Sequence, residues 1–129
     1  MPNITVITPP DKIFNTNKSI LLIYPTNSLK SDFQTLIQDW DVDFNLYLYS
    51  VESTEQDHDW LLSVVKMVDI VIFDVDNATA EVRDLASYII AHPHTYWLTN
   101  SPISVYNKLS VNRIYDLSFL KQGDITNGI

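Results

Sequence analysis

Three acids and the polar residues around them are the part of this chain best able to do chemistry. Asp74 and Asp76 end the run Val68-Asp69-Ile70-Val71-Ile72-Phe73-Asp74-Val75-Asp76-Asn77, and Glu81 follows after Thr79. Two further polar sets, Thr26-Asn27-Ser28 and Thr99-Asn100-Ser101, also follow apolar runs. None of the three sets contains Lys or Arg. A polar, acidic set suits the hydroxyls of a sugar, an amine or a cation. It does not suit a bare phosphate.

The runs that carry these sets dictate where they meet. Val68–Phe73 is too short for a free-standing helix and rich in β-branched residues, which suits a strand covered on both faces. Similar runs occur at Ser19–Tyr24, Phe44–Val51, Thr95–Thr99 and Asn112–Leu117. Between them lie helical patterns. Leu29, Phe33, Leu36, Ile37 and Trp40 share one face, and Ser31 with Gln34 has capping-box spacing. A second helix opens at Ser53-Thr54-Glu55 and buries Leu61, Val64, Val65 and Val68. A third, over 78–91 and capped by Asn77, buries Val82, Leu85, Ala86, Ile89 and Ile90. Ser101-Pro102 starts a short fourth helix.

This alternation predicts an α/β three-layer sandwich. Its core is a five-stranded parallel sheet of flavodoxin-like order 2-1-3-4-5. Residues 1–129 form one domain: an N-terminal arm over 1–18 that adds an edge strand, a core over 19–117 and a tail over 118–129. In such sheets ligands bind at the carboxyl ends of the strands, where the strand order reverses. The three polar sets converge there. The predicted core includes Leu22, Ile70, Ile72, Leu85, Ile89 and Trp97.

Two families share features with these residues. The stretch Val68–Asp76, followed by Ala80-Glu81-Val82-Arg83-Asp84-Leu85-Ala86, resembles the nucleoside 2-deoxyribosyltransferases. That resemblance implies Glu81 as a nucleophile at the sugar's anomeric carbon, with Asp74 or Asp76 as its partner. Thr26, Asn27, Ser28, Asn77, Thr99 and Asn100 would then contact the nucleoside. The family's glycines are replaced here by Pro25-Thr26-Asn27, Asn77-Ala78-Thr79 and Arg83, so the resemblance implies a degenerate member. No cofactor is implied.

The second likeness is to receiver domains. Asp69-Ile70-Val71-Ile72-Phe73-Asp74 is similar to their third strand, with Asp74 at the phospho-acceptor place, and Leu98-Thr99 is similar to the fourth. Tyr24-Pro25 replaces that family's magnesium-binding acids, and Tyr115-Asp116-Leu117 lacks its Lys. This likeness implies a receiver that is not phosphorylated in the usual way, a non-catalytic interaction module. Asp74 and Asp76 also suit a local role, facing the amino end of the next helix.

Composition narrows the remaining options. With 8 Lys and Arg against 16 Asp and Glu, the net charge of −8 disfavours nucleic acid and anionic membrane surfaces. The absence of Cys removes disulfides and thiolate chemistry. The only glycines, Gly123 and Gly128, lie in the tail, so no glycine-rich phosphate cradle is present. No apolar run reaches about 18 residues, the length of a membrane span, and the start of the chain is not a secretion signal. A soluble, cytoplasmic protein is expected.

No metal site is expected. Asp39, Asp41 and Asp43 have the spacing of a calcium loop, but Phe44 and Ser50 stand where that loop needs Gly and Glu. His58 reads as an exposed helix start, and His92-Pro93-His94 as a helix stop. Tyr47 and Tyr49 alternate with Leu46 and Leu48, which predicts a wetter, exposed face. With the arm Ile4–Phe14, they point to a homo-oligomer or a protein partner.

Overall fold

The computed structural model describes residues 4–13, 17–24, 27–40, 43–50, 58–74, 89, 95–98 and 112–114. Among these residues, six strands form one parallel sheet: β1 (Ile4–Ile7), β2 (Lys18–Tyr24), β3 (Phe44–Ser50), β4 (Ile70–Asp74), β5 (Thr95–Leu98) and β6 (Asn112–Ile114). Their spatial order is β1-β3-β2-β4-β5-β6. The five core strands thus take the expected flavodoxin-like order, and the arm supplies β1 at the added edge. Every pairing is parallel, including Ile20↔Ile70 between the two central strands.

Two helices are described: α1 (Asn27–Ile37) and α2 (His58–Met67). They lie on opposite faces, for a topological reason. The connections β1→β2, β3→β4 and β4→β5 step one way across the sheet, and β2→β3 steps back. Right-handed crossovers then put α1 on one face and α2 on the other. Packing agrees. Phe33 and Ile37 of α1 join Ile20, Leu22, Leu46, Leu48, Ile70 and Ile72 in one core layer. Trp60, Leu61, Val64 and Val65 of α2 join Leu21, Ile23, Tyr47, Tyr49, Val71 and Phe73 in the other.

Ile89, helical in the structure, is buried in that second layer. The rest of the predicted third helix lies outside the described residues, as do Leu85 and the short helix after Ser101. The predicted core residues Leu22, Ile70 and Ile72 are fully buried. Trp97 lies in β5. Helix α1 starts at Asn27, earlier than the capping-box spacing at Ser31 indicates. It ends at Ile37, where Gln38 and Trp40 donate backbone hydrogen bonds to Thr35 and Ile37 in a tightening last turn.

The predicted exposure of Tyr47 and Tyr49 is wrong. They are 0% and 2% exposed. Two features cover them. Edge strand β1 pairs along β3 from Ile4↔Phe44 to Ile7↔Tyr47, so β3 is not an edge. On the α2 face, the Trp60 ring stacks on Tyr49 at 6.1 Å and tilts against Tyr47 at 6.1 Å. Asp11 and Ile13, which follow β1, meet this same face. Tyr47 donates its hydroxyl hydrogen to the Ile13 carbonyl (2.8 Å) and accepts from the Ile13 N–H (3.2 Å). The Trp60 indole N–H donates to the Asp11 carbonyl (2.9 Å). Ile13 is therefore held by a side chain. Tyr47 thus serves the arm of its own chain.

At the amino edge of the sheet, Asp69 ties β4 to β2. Its carboxylate accepts from the Ser19 N–H (2.8 Å), and its own N–H donates to the Ser19 carbonyl (3.0 Å). This acid, first in the receiver-like stretch, holds register at the end of the sheet opposite the candidate site.

Candidate functional site

The order reversal falls between β2 and β4, whose carboxyl ends carry Tyr24 and Asp74. Strand periodicity sets the directions of these side chains. Ile20 and Leu22 face α1, so Tyr24 does too; Ile70 and Ile72 carry Asp74 to the same face. Leu46 and Leu48 do the same for Ser50. Register then aligns the three. Tyr24 pairs with Ser50, and Tyr24 and Asp74 each lie one residue beyond the pair Ile23↔Phe73. Ser50, Tyr24 and Asp74 form a row across neighbouring strand ends, about 4.8 Å apart from strand to strand.

Asp74 is 7% exposed and Tyr24 is 8% exposed. The Tyr24 hydroxyl shares a hydrogen bond with the Ser50 side chain. Burial pushes the Tyr24 phenol above its ordinary value, and the Ser50 contact offsets part of that rise. Lys30, in the first turn of α1, brings its ammonium to 5.8 Å from the Tyr24 ring centroid. The carboxyl edge therefore also carries a positive charge, which the polar and acidic loops did not foretell.

Of the residues read from sequence as a site, the structure places Asp74 as described above. Asn27 and Ser28, read from sequence as part of a polar set ahead of the helical pattern that begins at Leu29, form the start of α1. Thr26, Asp76, Asn77, Glu81, Thr99 and Asn100 lie outside the described residues. Tyr24 and Ser50 were missed because each reads as part of a strand, Ser19–Tyr24 or Phe44–Val51, and not of a polar loop. Only register shows that they stand beside Asp74.

Chemically, the row offers a carboxylate that can accept hydrogen bonds, a phenol–hydroxyl pair and a nearby ammonium. Among the described residues, no three His, Asp or Glu side chains form a group that could hold a metal. Among them, too, no helix is long and apolar enough to cross a membrane. The fold and the row define an α/β protein with a candidate site at the switch point of its sheet. The chain matches no family model, no curated protein and no solved structure.

Proposed function

We propose that the chain is a degenerate nucleoside 2-deoxyribosyltransferase-like domain that binds a nucleoside or sugar at the carboxyl end of its sheet. The observation that supports it is the placement of Asp74. A carboxylate held at the switch point, on the same face as Tyr24 and Ser50, is positioned to accept hydrogen bonds from sugar hydroxyls. In this reading Glu81 is the nucleophile, Asp74 or Asp76 its partner, and Thr26, Asn27, Ser28, Asn77, Thr99 and Asn100 the ligand contacts.

The test is to incubate the protein with a deoxynucleoside and a second free base, and to look for the exchanged nucleoside. Exchange that vanishes in Glu81→Ala supports glycosyl transfer through Glu81. Binding without exchange supports the degenerate form. Neither binding nor exchange at millimolar ligand would leave the second reading, a non-catalytic interaction module. That reading draws on the exposed edge of β1, where Val6 is 47% exposed.

A further inference from the structure

We infer that Lys30 recognises an anion, and that the ligand of the Asp74 end of the sheet is a phosphorylated pentose, free or as a nucleoside 5′-monophosphate. The inference rests on the nucleoside or sugar reading above and adds a charged group to the ligand. Its basis is where the chain holds one ammonium. Helix α1 follows β2 almost directly, so its first turn meets the carboxyl end of that strand. Phe33 of α1 is fully buried in the core layer, and Lys30, three residues earlier, starts from the same side of the helix. Lys30 is half-buried, whereas Lys12 and Lys66 are exposed. Its ammonium rests over the Tyr24 ring, 5.8 Å from the centroid.

The ring beneath it is fixed. Tyr24 is buried, and its hydroxyl shares a hydrogen bond with the Ser50 side chain. A cation already held on a fixed ring loses little freedom when it meets an anion. The ring face attracts the ammonium through its quadrupole, and a lysine has three N–H donors, so donors remain for phosphate oxygens. The first turn of α1 has no acid to neutralise this charge. Asp32, two residues on, is exposed and does not face Lys30.

Position and sign select the ligand class. Asp74 is buried on the strand next to Tyr24 and on the same face. A carboxylate accepts from hydroxyls and repels anions, and an ammonium does the reverse. A phosphorylated pentose carries hydroxyls and a phosphate a few atoms apart, so it matches both groups. Bare phosphate is opposed by Asp74 and by the field of a chain of net charge −8. A bare nucleoside makes no use of Lys30. The polar loops contain no Lys or Arg, and the positive charge enters from the helix instead.

Calorimetric titration of the full chain with a deoxynucleoside, its 5′-monophosphate, deoxyribose 5-phosphate and inorganic phosphate tests the inference. The monophosphate should bind at least about tenfold tighter than the nucleoside. Lys30→Gln should erase that advantage while leaving nucleoside affinity within about twofold, and Lys30→Arg should retain most of it. Circular dichroism and the urea midpoint show whether each variant is folded. Added salt should shrink the advantage in the parent itself, a measurement that needs no substitution. Deoxyribose 5-phosphate that binds as well as the monophosphate assigns the sugar phosphate alone, and weaker binding assigns the nucleotide; either result supports the inference. Equal affinity for nucleoside and monophosphate, or an advantage that survives Lys30→Gln, overturns it and leaves the nucleoside reading standing. Inorganic phosphate that binds as tightly as the monophosphate also overturns it, because the Asp74 row then contributes nothing. No binding of any of the four removes both readings.

Discussion

Replacing Tyr47 with Phe isolates the part of the structure that the sequence misrepresented. The ring stays, so its packing on Trp60 and the volume of that core layer stay with it. Only the hydroxyl goes, and with it two hydrogen bonds to the backbone of Ile13, at 2.8 and 3.2 Å. Each such bond contributes about 0.5–1.5 kcal/mol net, so the pair sets a ceiling of about 3 kcal/mol. Ile13 is only partly buried, and water can replace some of what it loses. The expected cost is therefore about 1–2 kcal/mol. Urea unfolding should show a lower midpoint with an unchanged slope. Native-state hydrogen exchange should speed up at the arm, Ile4 to Ile13, more than in β2 or β4. A loss under about 0.3 kcal/mol, with unchanged exchange in β1, would show that the arm is held without Tyr47.

Two further perturbations probe the core and the site. Ile72→Ala, at a fully buried position in the central strand, should cost about 2–5 kcal/mol in the same urea assay; a loss under about 1 kcal/mol would mean that the sheet is not centred on β4. Tyr24 should make stability fall in alkali. Its folded-state value is raised above 10.0, so its contribution is complete below that pH and is lost as pH rises through the raised value. Unfolding free energies measured across that range should fall less steeply in Tyr24→Phe than in the parent, and equal slopes would contradict the burial of this phenol.

Much of the fold was legible because it follows from periodicity. Short β-branched runs such as Ile70–Phe73 are strands, and the i, i+3, i+4 spacing of Leu61, Val64 and Val65 is a helix face. Both were read correctly. What the sequence hid were long-range partners. Tyr47 alternates with leucines, as a half-wet strand would, and nothing local shows that Ile13, 34 residues away, supplies acceptor and donor for its hydroxyl. Trp60, similarly, fell outside the expected stripe of α2 yet is buried with its indole bonded to Asp11. The site was half legible for the same reason. Asp74 stands out as an acid ending an apolar run. Tyr24, Ser50 and Lys30 join it only through strand register and the placement of α1.

The central claim is that the Asp74 end of the sheet holds a nucleoside, and a binding titration addresses it most directly. A deoxynucleoside titrated into the isotope-labelled chain should shift the backbone amides of Tyr24, Ser50 and Asp74 together and saturate at or below the millimolar range. Asp74→Asn keeps the shape of the side chain and removes its charge. A hydrogen bond to a charged group contributes about 1.5–3 kcal/mol, so affinity should fall at least about tenfold while the Ile4–Ile7 amides stay unperturbed. Absence of binding at millimolar nucleoside, or equal affinity in the parent and in Asp74→Asn, would contradict the claim.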